Sequence, residues 1–141
     1  MKIAVVYKSL LGSTKKYATW ICEEFHADLF KFGSIDSQTL ENYDIVVVAS
    51  GTYASQMPLI GFLKKHWDIL QNKRVVVVAV GMAPPDDPQS LASYELIPAE
   101  IQDEIYYFKL PGKLFVAGPG GKPSKEQLKE VFEKMRSLLE E

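Results

Sequence analysis

The stretch Asp44-Ile45-Val46-Val47-Val48-Ala49-Ser50 decides the fold. It is apolar at every position between its ends and does not alternate apolar with polar. A strand that is apolar on both faces is covered on both faces, which marks a central parallel strand. Two further runs share this character, residues 3–7 (IAVVY) and 74–80 (RVVVVAV). Residues 28–32 (DLFKF) and 105–110 (IYYFKL) mix in polar side chains and fit edge or near-edge strands.

Helical periodicity fills the intervals. Over residues 14–25, Tyr17, Ala18, Ile21 and Phe25 fall on one stripe. Residues 58–70 begin with Pro58, suited to a first helical position, and direct Leu59, Phe62, Leu63 and Ile69 toward a core. Residues 90–102 read as helical with a break at Pro98. The last helix is capped by Ser124, with Gln127 three residues on as in a capping box. Its apolar stripe is Leu128, Val131, Phe132, Met135, Leu138 and Leu139. Strand and helix thus alternate five times, which predicts a doubly wound α/β fold on a parallel sheet. Right-handed crossovers then place helices on both faces. With 141 residues, no internal repeat and no linker, the whole of 1–141 reads as one domain. The stretch 118–123 (GPGGKP) is a loop before the last helix.

Charge and cysteine content narrow the functional classes. A net charge of -2 argues against a nucleic-acid partner, which favours a basic surplus. The single cysteine, Cys22, excludes an intrachain disulfide and fits a reducing cytoplasm. His26 and His66 stand far apart, so no Cys/His cluster offers a metal site. No apolar run approaches the ~20 residues that span a bilayer, and the N-terminus lacks the pattern of a signal peptide. Cys22 reads as a small core residue, Trp20 and Trp67 as packing residues, and His66 as a surface or interhelix residue.

The loop after the first strand reads Lys8-Ser9-Leu10-Leu11-Gly12-Ser13-Thr14. In open α/β sheets, ligands bind at the carboxyl ends of the strands near the switch point. A helix N-terminus there presents N–H groups and the positive end of the helix dipole, which together attract an anion. The hydroxyls of Ser9, Ser13 and Thr14 add donors, and Gly12 lets the backbone approach a ligand. The same residues can also serve as a plain helix cap. The GxxxxGK[ST] and GxGxxG loops are absent. The end of the third strand holds Ser50-Gly51 where a phosphoacceptor aspartate would stand. What remains is a cradle for a monophosphate.

The loop resembles the flavodoxin phosphate loop, [TS]-x-T-G-x-T. Ser9, Gly12 and Thr14 match it, and Leu11 stands where the pattern has a hydroxyl. With residues 44–53 (DIVVVASGTY) and 63–67 (LKKHW), the chain is similar to the flavodoxin-domain group that includes quinone-linked protoporphyrinogen oxidases. That resemblance implies a five-stranded sheet of order 2-1-3-4-5 and an FMN cofactor. Ser9, Leu10, Leu11, Gly12, Ser13 and Thr14 would hold its phosphate. Gly51, Thr52, Tyr53 and Ala54 would flank the isoalloxazine ring, with the Gly51 peptide near N5 and Tyr53 stacking, and Ser55 within reach of polar edges. Gly81, Met82 and Ala83 would meet the other side, and Asp86 and Asp87 are candidates for the field near N1. No side chain is expected to act as nucleophile, general base or metal ligand. The implied partners are a redox protein or a small-molecule electron acceptor. Electron carrier, small flavin oxidoreductase, protoporphyrinogen-oxidase-like enzyme and flavin-free binding module all remain open at this point.

Overall fold

The computed structural model describes residues 1–10, 12–52, 57–112 and 122–141. Five parallel strands form one sheet in the order β2-β1-β3-β4-β5. They are β1 (Ile3–Lys8), β2 (Asp28–Lys31), β3 (Ile45–Gly51), β4 (Arg74–Gly81) and β5 (Ile105–Pro111). The helices are α1 (Ser13–Phe25), α2 (Ser37–Leu40), α3 (Pro58–Leu70), α4 (Pro88–Glu95), α5 (Ala99–Gln102) and α6 (Lys129–Leu139).

The valine runs are central because they must be. Every residue of β3 is buried, and the alternation of the strand sends its side chains into two separate cores. Ile45, Val47 and Ala49 join Val5, Val76 and Val78 beneath Tyr17, Ala18 and Ile21 of α1 and Val131, Met135 and Leu138 of α6. Val46 and Val48 join Ala4, Val6, Val75 and Val77 beneath Leu59, Phe62, Leu63 and Leu70 of α3. The edge strands β2 and β5 are only partly covered, as their mixed sequences predict.

Two details depart from the sequence expectation, and the break expected at Pro98 is present. Leu70 rather than Ile69 is the fully buried end of the α3 stripe, and Ile69 is only partly covered. The helical pattern over 90–102 is two pieces. Pro98 begins the second of them, and the Gln102 side chain donates to the carbonyls of Tyr94 (3.2 Å) and Ile97 (2.8 Å), holding the break in place. The short α2 was not legible as periodicity. It rests on Asp36, which accepts from the Thr39 amide at 2.8 Å. The capping box is present as predicted: the Ser124 amide donates to Gln127 Oε1 at 2.9 Å, and a single 3₁₀ turn (Lys125–Leu128) leads into α6.

Candidate functional site

Register brings three loops level. Lys8 of β1 pairs with Ser50 of β3, Gly51 pairs with Val80, and Gly81 pairs with Pro111. Because all strands are parallel, the segments leaving β1, β3 and β4 emerge at one end of the sheet. The chain turns to opposite faces after β1 and β3, so the switch point lies between them.

The first loop has the form of an anion cradle. Gly12 adopts φ 92°, a left-handed conformation that costs other residues energy, and a Cβ there would meet nothing within 4 Å. Its amide donates to Ser9 Oγ at 3.1 Å, which leaves the Ser9 hydroxyl proton to turn elsewhere. The N-cap residue Gly12 brings no side chain to cap α1, whose first backbone bond runs from Lys16 N–H to Gly12 O at 3.0 Å. Thr14 in the first turn is buried, and Leu10 projects outward at 68% exposure. Leu11 lies outside the described residues.

The second loop is fixed at its base. The Ser50 hydroxyl, fully buried, accepts from the Leu59 amide at 3.2 Å and so ties the end of β3 to the first turn of α3. The Thr52 amide donates to Val80 O at 2.8 Å. Tyr53, Ala54 and Ser55 lie outside the described residues.

The third loop is the best anchored. A Cβ on Gly81 would come within 2.1 Å of Thr52 Oγ1, so the glycine is what lets the second and third loops touch. Lys109, on β5, donates its ammonium to Gly81 O (3.1 Å) and Ala83 O (2.5 Å). Burial lowers its pKa, against the attraction of Asp87. Ser90 Oγ donates to Ala83 O at 3.2 Å, and the Gly112 amide donates to Gly81 O at 3.1 Å. Gly112 itself sits where a Cβ would come within 2.5 Å of Val80 Cγ1 and 3.3 Å of Ser13 Cβ. Met82 is exposed next to these fixed carbonyls. Asp86 is exposed, whereas Asp87 is engaged as the cap of α4, accepting from the Gln89 amide at 2.9 Å.

Sequence reasoning missed Lys109, Ser90, Gly112 and the Tyr17 hydroxyl. Tyr17 Oη lies 2.6 Å from Pro111 O and 2.8 Å from Gln127 Oε1, which holds α1 to the end of β5 and to the 3₁₀ turn before α6, and burial pushes its pKa up to about 12. A glycine just past a strand was the only signal that Gly112 offered. Lys109 reaches its carbonyls across strands and Tyr17 reaches from α1 to the end of β5, so neither carries a local pattern, while Ser90 bonds Ala83 within the loop that follows β4. His66 proves to be buried on α3 against Phe62, with Nδ1 2.8 Å from Ser37 Oγ. Burial raises the Cys22 pKa to about 11, with help from Asp28 and Glu23, so the thiol stays protonated near neutrality.

These residues suit a flavin phosphate at the N-terminal end of α1 and a ring edge beside the ordered carbonyls and amides of residues 51–52 and 81–83. Among the described residues, no group of three His, Cys, Asp or Glu side chains could hold a metal. No described helix is long and apolar enough to cross a membrane.

Comparison with known proteins agrees. A flavodoxin from Streptococcus pneumoniae TIGR4 superposes with a TM-score of 0.64 at 16% identity, covering 97% of this chain and 99% of that one. A flavodoxin from the domain Archaea gives 0.59 at 17% identity, covering 92% and 90%. The Trp repressor binding protein of Bacillus subtilis gives 0.59 at 18% identity, covering 82% and 89%. An uncharacterized protein of Methanocaldococcus jannaschii is 35% identical over 54 residues, 38% of this chain and 36% of that protein. The chain therefore spans little more than a third of that curated relative. The family model described as Flavodoxin domain matches residues 4–117, and with this sheet order and these loops the chain belongs to the flavodoxin-domain family, whose members imply a flavin cofactor.

Proposed function

We propose that this chain binds FMN and works as a small redox protein, an electron carrier or flavin oxidoreductase. The observation that carries the reading is the first loop, where left-handed Gly12 opens space before the N-terminus of α1 at the switch point. A phosphate there gains from the partial positive charge of α1 and from donors on Ser9 and Thr14. The Gly51 peptide would approach the ring at N5, and backbone groups of residues 81–83 would meet its pyrimidine edge.

When bound, the flavin supplies the electron-transfer chemistry, and the protein supplies position and electrostatics. The chain's part is to hold rather than to react. Ser50 and Thr52 fix the base of the second loop, and Lys109, Ser90 and Gly112 fix the carbonyls of the third. These contacts set the base of the second loop and the carbonyls of the third before a ligand arrives, which lowers the ordering cost of binding. Exposed Met82 would leave one side of the ring open to a redox partner or a small-molecule acceptor. A single cysteine, which allows no intrachain disulfide, fits a place in the cytoplasm, and a net charge of -2 argues against a nucleic-acid partner.

The test is direct. Protein purified without added flavin should be yellow and release FMN. A colourless protein that also fails to quench FMN fluorescence overturns the reading. Gly12→Val with Thr14→Val should weaken FMN far more than riboflavin, which lacks the phosphate. Equal weakening of the two would show that the loop does not hold it.

A further inference from the structure

A second basin adjoins the phosphate loop on the side away from Gly51 and Gly81. It measures about 480 Å³ and shares Ser9 and Gly12 with the loop as part of its wall. That volume falls in the range that encloses a small ligand. Lys8, Lys15 and Lys31 surround it, and no acidic residue lines it. None of the three joins an ion pair among the described residues, where lysine and arginine pairings involve Lys73, Arg74 and Arg136. Three uncompensated cations around one concavity, in a chain of net charge -2, make a local field opposite in sign to the whole.

The far wall has a different character. Phe32 borders the basin and is held by stacking on Phe62, ring centroids 4.7 Å apart, so it offers a fixed apolar edge. Beside it, a Cβ on Gly33 would meet nothing within 4 Å, so this side is open too. The basin thus combines cations, a rigid aromatic edge and open space, and it runs directly into the loop that suits a first phosphate.

We propose that the basin binds a second phosphate and its nucleoside, so that the chain takes the pyrophosphate-linked flavin FAD as well as FMN. This rests on the first loop being a flavin-phosphate site. The flavin-side phosphate would lie at the α1 N-terminus, and the adenylate phosphate would lie among Lys8, Lys15 and Lys31 with the adenosine toward Phe32 and Gly33. The same chemistry would also accept a separate nucleotide diphosphate beside bound FMN.

The experiment uses flavin-free protein at low salt and measures FMN and FAD by fluorescence and ADP by calorimetry. FAD should bind at least as tightly as FMN. Lys8→Gln with Lys31→Gln, both exposed and outside the FMN cradle, should weaken FAD roughly tenfold, as for two surface charge contacts, and change FMN less than twofold. Added salt should narrow the gap between wild type and variant. If FAD does not fit but ADP binds FMN-loaded protein with the same dependence on Lys8 and Lys31, the basin is a separate nucleotide site, and the phosphate assignment stands. FAD binding far weaker than FMN, with no ADP binding, overturns the proposal, as does equal weakening of FMN and FAD by the variant. Protein that binds no flavin yet binds ADP through these lysines would instead sink the flavin reading and leave the basin.

Discussion

Replacing Lys109 by methionine removes one ammonium and keeps most of its apolar stem. In the wild type the ammonium bridges Gly81 O and Ala83 O. Neither carbonyl is orphaned by its loss, because Gly112 N–H still donates to the first and Ser90 Oγ to the second. The cost is therefore the net value of two charge-assisted bonds, less the relief of no longer burying an ammonium. That comes to about 1–2 kcal/mol near neutral pH. Urea unfolding followed by the fluorescence of Trp20 and Trp67 measures it. With a slope of about 2 kcal/mol per molar, the midpoint should fall by roughly 0.5–1 M. The pH dependence gives an independent check. Burial lowers the pKa of Lys109 below its ordinary 10.5, so the folded state releases this proton before the unfolded state does. The cost of burying the charge is present at neutral pH and fades as pH rises through the lowered value toward 10.5. The margin of wild type over Lys109→Met should thus widen on raising the pH and stay flat below. FMN affinity should fall several-fold in the variant, because the 81–83 backbone loses its tether. A Lys109→Met protein with wild-type midpoint, wild-type FMN affinity and no pH-dependent margin would refute the role assigned to this ammonium.

Gly12→Ala places a β-carbon in open space at φ 92°, so its whole effect is backbone strain of about 1–2 kcal/mol. A thermal melt should show a midpoint lower by several degrees, and an unchanged midpoint would mean that the loop is not held in this conformation. Gly81→Ala meets Thr52 Oγ1 at 2.1 Å and should cost about 1–3 kcal/mol by overpacking. The same change made in a Thr52→Ala background should cost less, and strict additivity in that double-mutant cycle would contradict the contact. His66 is buried with a lowered pKa, so its unfolded form takes up a proton first as pH falls. Stability should be intact above 6.5 and decline below it, by at most about 1.4 kcal/mol per pH unit. His66→Leu should flatten that decline in acid-titrated chemical unfolding, and an identical slope in the variant would rule His66 out as its source.

Much of this protein was determined by its sequence alone. The unbroken apolar runs in β1, β3 and β4 require cover on both faces, so a parallel sheet between two helical layers follows from burial within single segments. The helix stripes and the Ser124–Gln127 box are local for the same reason, since residues three or four apart on a helix are neighbours whatever surrounds them. The first loop was legible because Gly12 and its hydroxyl neighbours lie together in sequence. What only the tertiary structure decided depends on residues that meet across strands. Nothing near position 109 marks its lysine as the anchor of residues 81 and 83, because that contact exists only once β5 lies beside β4. The burial of His66 required α2 to bring Ser37 to it. The lysines of the second basin come from the ends of β1 and β2 and the start of α1, and only the folded sheet gathers them into one field. Hydrophobic burial is written along each segment, whereas the convergence of polar groups is set by which segments become neighbours.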